Sequence, residues 1–118
     1  MAFRVLLTED AERDLDELVT YIAQHDSRRN AEHVLGRILD IADSLTAEPT
    51  RGSTPQELRA LGDQEYRQVF FKPYRLIYET VETPARAVFI VLIADGRRDM
   101  GTLLEQRLLN PPDPTIPE

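Results

Sequence analysis

Two arginine-bearing stretches are where chemistry could sit. Tyr74-Arg75-Leu76-Ile77-Tyr78 is followed, after a second apolar run, by Gly96-Arg97-Arg98-Asp99. Guanidinium groups stay charged at any working pH and hold phosphate or carboxylate through paired hydrogen bonds. Neighbouring strands that bring Arg75, Arg97 and Arg98 to one end or face of a small sheet would therefore form an anion-reading surface. The composition offers little competing chemistry. Cysteine is absent, which excludes a disulfide framework, a thiolate nucleophile and a cysteine-based zinc site. With His25 and His33 as the only histidines, a histidine-rich metal centre is not expected, and no metal or organic cofactor is implied.

Each of these residues also has a plainer use. Arg75 could pair with Glu65 or Glu79 across the sheet, as exposed strand arginines often do. Arg97 and Arg98 could line a solvated turn at a strand exit, with Asp99 serving only as a helix N-cap. Tyr66, Tyr74, Tyr78 and Phe70 interleave with arginine as in nucleic-acid platforms, but aromatics alternating on a strand are more often core, and the core reading is preferred. His25 and His33 read as surface residues.

The elements that must position these groups follow from periodicity. Phe3, Val5 and Leu7 open a short strand, and Thr8 stands before an acidic turn where Glu9, Asp10 and Glu12 complement a helix dipole. Ala11, Leu15, Leu18, Val19 and Ile22 share one helical face. After the tight link His25-Asp26-Ser27, a second helix presents Ala31, Val34, Leu35, Ile38, Ile41, Ala42 and Leu45. The two helices should form an antiparallel hairpin covering a sheet. A loop rich in Pro, Thr, Arg, Gly and Ser spans 48–55. Three strand-like runs follow at 65–71, 74–81 and 87–94, joined by connections short enough for an antiparallel meander. The last run is apolar on both faces and should be central. A short helix carrying Leu103, Leu104, Leu108 and Leu109 follows Asp99. The expected fold class is α+β, an antiparallel sheet in the order β-α-α-β-β-β-α packed on a helical hairpin. Residues 1–109 are expected to be one domain, and 110–118 a proline-rich extended or disordered tail.

The 118-residue chain carries a formal net charge of −7, which argues against non-specific nucleic-acid binding. The charge is polarised. The first fifty residues hold eleven acids against five arginines, whereas Arg67, Lys72, Arg75, Arg86, Arg97 and Arg98 outweigh the acids of the strand region. No apolar run approaches a membrane span or a signal peptide, so the expected compartment is the cytoplasm, with no membrane partner.

The element order, with Tyr74-Arg75-Leu76-Ile77-Tyr78 on the third strand and Gly96-Arg97-Arg98-Asp99 after the fourth, resembles the RelE/ParE superfamily of toxins from bacterial type II toxin–antitoxin systems. Ala11-Glu12-Arg13-Asp14-Leu15, Tyr21-Ile22 and the loop Pro49-Thr50-Arg51-Gly52 before Glu57-Leu58-Arg59 add to the likeness, which covers residues 2 to 109. The resemblance implies a growth inhibitor neutralised by a cognate antitoxin in a hetero-oligomer, the antitoxin lying across a hydrophobic groove between hairpin and sheet. RelE-like members cleave messenger RNA on the ribosome; ParE-like members poison DNA gyrase. Arg75 and Arg98 match positions of phosphate-stabilising arginines in the ribonucleases, and Arg67 or Tyr66 could assist. The remaining pattern is missing. Tyr66 and Gln68 stand where lysines would be expected, Leu103 or Leu104 replaces a C-terminal aromatic, and Asp95 replaces a histidine. The departures favour a gyrase inhibitor without a catalytic centre, with Arg75, Arg97 and Arg98 as target contacts; a ribosome-dependent endoribonuclease is the alternative.

Overall fold

Thr8 converts strand into helix. Its hydroxyl accepts a hydrogen bond from the Ala11 amide at 3.2 Å, so β1 (Arg4–Leu7) stops and α1 (Glu9–His25) begins with three acids in its first turn. Ser27 caps α2 (Arg28–Ser44) in the same way, accepting from Asn30 N at 3.0 Å. In this computed structural model, residues 2–60, 62 and 65–109 are described. The tail expected at 110–118 lies outside the described residues.

Beyond the hairpin of α1 and α2, a single-turn helix α3 (Gln56–Arg59) leads into β2 (Tyr66–Phe71), β3 (Tyr74–Val81) and β4 (Ala87–Asp95). The described residues close with α4 (Met100–Leu104), capped by Asp99, which widens into a π-helical turn at Glu105–Leu109. Helix α3 is an element that periodicity did not predict. Four residues are too few to show a repeat, and only Leu58 is apolar enough to reveal a buried side.

The sheet order is β1-β4-β3-β2, with the meander β2-β3-β4 antiparallel as expected. The α+β class and element order hold, but the sheet is mixed rather than purely antiparallel, because β1 lies parallel to β4, with Arg4 opposite Ala87 and Leu7 opposite Ile90. The intervening hairpin and meander form a crossover long enough to allow it. Strand β4 is thereby central at its start. Past Ile90 that edge has no strand beside it among the described residues.

Helices cover both faces of the sheet. The α1–α2 hairpin packs on Val69, Leu76, Tyr78, Val88, Ile90 and Ile93 through Leu15, Ile22, Val34 and Ile38. On the far face Leu58, Met100 and Leu104 bury Ile77, Val91 and Leu92. The doubly apolar pattern of β4 is therefore a consequence of a three-layer packing, in which each face meets its own helices. The alternation slips once: Ile77 pairs with Leu92 and Tyr78 with Ile90, leaving Val91 as a bulge without a partner on β3.

Candidate functional site

Arg75 points inward. It is 8% exposed, and its guanidinium is engaged on two sides. NH1 and NH2 donate to the two carboxylate oxygens of Glu57, each at 2.9 Å, and Nε donates to Gln68 Oε1 at 2.9 Å. NH2 also makes a short contact with the same Gln68 oxygen. This paired geometry is the strongest way arginine holds a carboxylate. The Arg75 contact holds the Glu57 carboxyl below its ordinary value of 4.5, against an opposing push from partial burial. Across-sheet pairing with Glu65 or Glu79 is not what occupies the guanidinium.

Three pieces of chain build this cluster. Arg75 on β3 stands opposite Phe70 in the register, and Gln68 lies two residues along β2 from Phe70 on the same face. Glu57 arrives from α3, which is pinned by fully buried Leu58. Gly96, just past β4, closes over the arginine. A Cβ there would lie 2.7 Å from Arg75 Cδ and 3.1 Å from the Pro73 carbonyl, so only glycine admits the stretched side chain beneath the turn.

The cluster floors a cleft of about 400 Å³ whose rim includes Gln56, Phe70, Lys72 and Arg97. Phe70 is 49% exposed and lies with its ring centroid 5.9 Å from the Arg75 guanidinium carbon. The core reading of the interleaved aromatics holds for Tyr78, which is fully buried, and for Tyr74, half-buried against the hairpin side. It does not hold for Phe70. Because that position faces the cleft, its ring stays in water.

Arg97 and Arg98 point outward at the turn after β4, both exposed. Arg97 folds back onto Asp95, its Nε donating to Oδ1 at 2.9 Å, and the pairing holds the Asp95 carboxyl below its usual range. Arg98 donates through its backbone amide to the Asp95 carbonyl, and its guanidinium has no hydrogen bond or ion pair among the described residues. Both arginines also border a second cleft of about 450 Å³ between α1 and the open edge of β4, with Leu18, Tyr21, Ile93 and Ala94 supplying its apolar wall. Arg97 stands on the ridge between the two clefts.

The other residues singled out by sequence fall away from this constellation. Arg67 NH1 donates to the carbonyls of Gly52 at 2.8 Å and Thr50 at 3.3 Å, tying the loop before α3 to β2. Tyr66 is half-buried and packs with the far-face core. His25 and His33 are exposed, His25 stacked on Tyr21 at 4.1 Å. Among the described residues no cluster of His, Asp and Glu could hold a metal ion, and no helix is long and apolar enough to cross a membrane.

Sequence reasoning missed two partners of consequence. Glu57 stands out in the sequence only as part of a short motif, and its eighteen-residue separation from Arg75 along the chain carries no periodic signal. Arg107 was not noticed at all. It donates to both oxygens of Asp14, at 2.8 and 3.0 Å, and to the carbonyl of the bulged Val91 at 2.7 Å. Asp14 in turn accepts from Ile93 N at 3.0 Å. Side chains thus satisfy the backbone groups that β4 leaves open beyond the end of β1.

Comparison with known proteins agrees with this architecture. Residues 5–100 match the family described as the ParE toxin of the type II toxin–antitoxin system parDE. Among solved structures, the fold is similar to a chain of a chromosomal ParDE system from P. aeruginosa, at a TM-score of 0.63 and 13% identity, covering 79% of this chain and 95% of that one. It is also similar to a chain of the RelBE2 toxin–antitoxin complex from Mycobacterium tuberculosis, at a TM-score of 0.58 and 22% identity, covering 80% and 99%. Comparison with curated protein sequences returns no match.

Proposed function

Since the chain belongs to the ParE toxin family of type II toxin–antitoxin systems, we propose that it inhibits growth by binding DNA gyrase, and that a cognate antitoxin neutralises it. The observation that carries the choice of gyrase over RNA cleavage is the state of Arg75. Cutting RNA through a 2′-hydroxyl requires a general base, a general acid and free cations around the phosphorus. Here the best-placed guanidinium is already filled by Glu57 and Gln68. The cleft around it is lined by Gln56, Glu57, Gln68, Phe70, Lys72 and Arg97 among others, with no histidine. Glu57 is the one carboxylate on that wall, and its lowered pKa makes it a weaker base. Arginine is no base at all.

Target binding is assigned to the exposed pair Arg97 and Arg98, with Arg75 acting from inside to hold the α3 loop against the sheet. For the antitoxin, the α1–β4 cleft offers an apolar wall of Leu18, Tyr21 and Ile93, where Tyr21 is 60% exposed. An amphipathic helix or extended segment of the antitoxin lies across it, as such partners use grooves of this kind. The chain works in the cytoplasm, residues 1–109 acting as one domain.

Pulse labelling of DNA and protein synthesis just after induction of this chain alone tests the proposal. An early halt in DNA synthesis, together with inhibition of purified gyrase in a supercoiling assay, is expected. An early halt in translation with gyrase unaffected would replace the reading with the ribosome-dependent nuclease.

A further inference from the structure

We propose that Asp95 is a positioning residue for target binding: its carboxylate sets the Arg97 guanidinium in one orientation on the ridge, so that a protein partner meets an arginine already ordered. An acid at the edge of a cationic ridge would, by charge alone, weaken an acid-seeking surface. Its hydrogen bonds give it a different use. Oδ1 accepts from the Arg97 backbone amide at 2.9 Å and from Arg97 Nε at 2.9 Å, and Oδ2 accepts from Nε at 3.2 Å and from NH2. One carboxylate therefore fixes both ends of the same residue, backbone and guanidinium.

The carboxylate is itself held in place. Asp95 closes β4 opposite Tyr74 of β3, and its carbonyl accepts from the Arg98 amide at 3.1 Å, while the Gly96 amide donates to the Pro73 carbonyl at 2.7 Å. Its side chain is 22% exposed, whereas that of Arg97 is 78% exposed. The Arg97 contact holds the Asp95 carboxyl below its ordinary range, so the acid stays ionised and the pair persists at neutral pH. A long side chain in water is thus anchored at its root by the turn and at its tip by an acid. Because an ion pair with so exposed a partner contributes little to folding stability, orientation is the use left to it.

What remains of the guanidinium defines the partner. Nε and NH2 meet Asp95 along one edge of the planar group, and NH1, on the other side, has no hydrogen bond among the described residues. With its charge balanced by the acid, Arg97 suits single carbonyl or carboxylate acceptors of a protein; a polyanionic phosphate chain draws on uncompensated cations. Arg98 supplies such a charge a residue further on, its guanidinium without a partner among the described residues. The two arginines divide the work, Arg98 attracting at a distance and Arg97 offering a preset donor. This inference rests on the proposed function for the identity of the target.

The test compares wild type, Asp95→Ala, Asp95→Asn, Arg97→Ala and Asp95→Ala/Arg97→Ala, each checked for a native melting profile. The readouts are the inducer level that halves growth and the inhibition of purified gyrase. Asp95→Ala should lose about threefold to tenfold in both, the cost of ordering one long side chain on binding, although it makes the ridge more positive. Asp95→Asn keeps an oxygen for the Arg97 amide and Nε and should recover most of the loss. Added to Arg97→Ala, Asp95→Ala should cost nothing further, because it acts through that arginine. Undiminished or stronger inhibition by Asp95→Ala overturns the proposal, since the acid would then only screen charge. A loss from Asp95→Ala that persists in the Arg97→Ala background also overturns it, since the acid would then merely support the turn. If wild type leaves gyrase untouched while the growth series keeps the expected pattern, the gyrase reading fails and the role of Asp95 stands.

Discussion

Replacing Arg107 by alanine isolates the contact that fastens the C-terminal turn to the rest of the molecule. The guanidinium makes paired hydrogen bonds to Asp14 at 2.8 and 3.0 Å and a third to the Val91 carbonyl at 2.7 Å, with the two side chains only 23% and 16% exposed. A hydrogen bond to a charged partner contributes about 1.5 to 3 kcal/mol net, whereas an exposed ion pair contributes about 0 to 1 kcal/mol. Asp14 keeps its bond from Ile93 N in the variant, and the site stays partly wet, so the loss should fall in the lower part of the first range. Arg107→Ala is expected to cost about 2 kcal/mol, which for a chain of 118 residues is a fall in Tm of roughly 6 to 10 °C.

Urea unfolding followed by circular dichroism measures this directly, with a lowered midpoint and an unchanged slope. A double-mutant cycle with Asp14→Ala should return a coupling of about 1 kcal/mol or more. A loss below about 0.5 kcal/mol with coupling near zero would refute the reasoning, because that is how a solvent-screened surface pair behaves.

Three further outcomes are expected. Charge reversal at Arg98, whose guanidinium has no partner among the described residues, should reduce growth inhibition about tenfold with a native melting profile, and Arg97→Glu should do the same while freeing Asp95; full toxicity in a plate count after induction would show that neither arginine meets the target. Glu57 has a folded pKa below 4.5, so its pairing with Arg75 contributes fully above that value and is lost as pH falls through the lowered one. Wild type should therefore exceed Glu57→Gln by about 1 kcal/mol at pH 7, with the gap closing in acid, and a gap independent of pH would contradict the pairing. Gly96→Ala places a Cβ 2.7 Å from Arg75 Cδ and should cost about 1 to 3 kcal/mol by overpacking, measured by urea midpoint, with no cost if the turn yields freely.

Much of the scaffold was legible because it is written in local repeats. The apolar stripes of α1 and α2, the capping hydroxyls of Thr8 and Ser27 and the short meander connections each announce themselves within a few residues. Strand β4, apolar on both faces, correctly signalled a central position. What could not be read was the parallel join of β1 to β4, since pairing across some eighty residues leaves no mark on either strand. Helix α3 escaped for the opposite reason, being too short to carry a period.

The candidate site divides along the same line. Arginine is one residue type with two uses, and sequence cannot separate a guanidinium that binds a partner from one that binds its own chain. Arg67, Arg75 and Arg107 are turned inward, each closing a gap that regular structure leaves open: a loop carbonyl, a helical turn, a strand edge. Arg97 and Arg98 are turned outward by a glycine turn that ends β4 before the helix cap at Asp99. The difference lies in the acceptors, and these come from distant segments: Glu57 for Arg75, Asp14 for Arg107, the Gly52 carbonyl for Arg67. An acidic chain with one lysine therefore presents only a small cationic ridge, because most of its nearby arginine charge is already spoken for inside the fold. That division predicts which substitutions will be read as stability and which as toxicity. Inward arginines should move the unfolding midpoint, and outward ones should move growth inhibition with the midpoint unchanged.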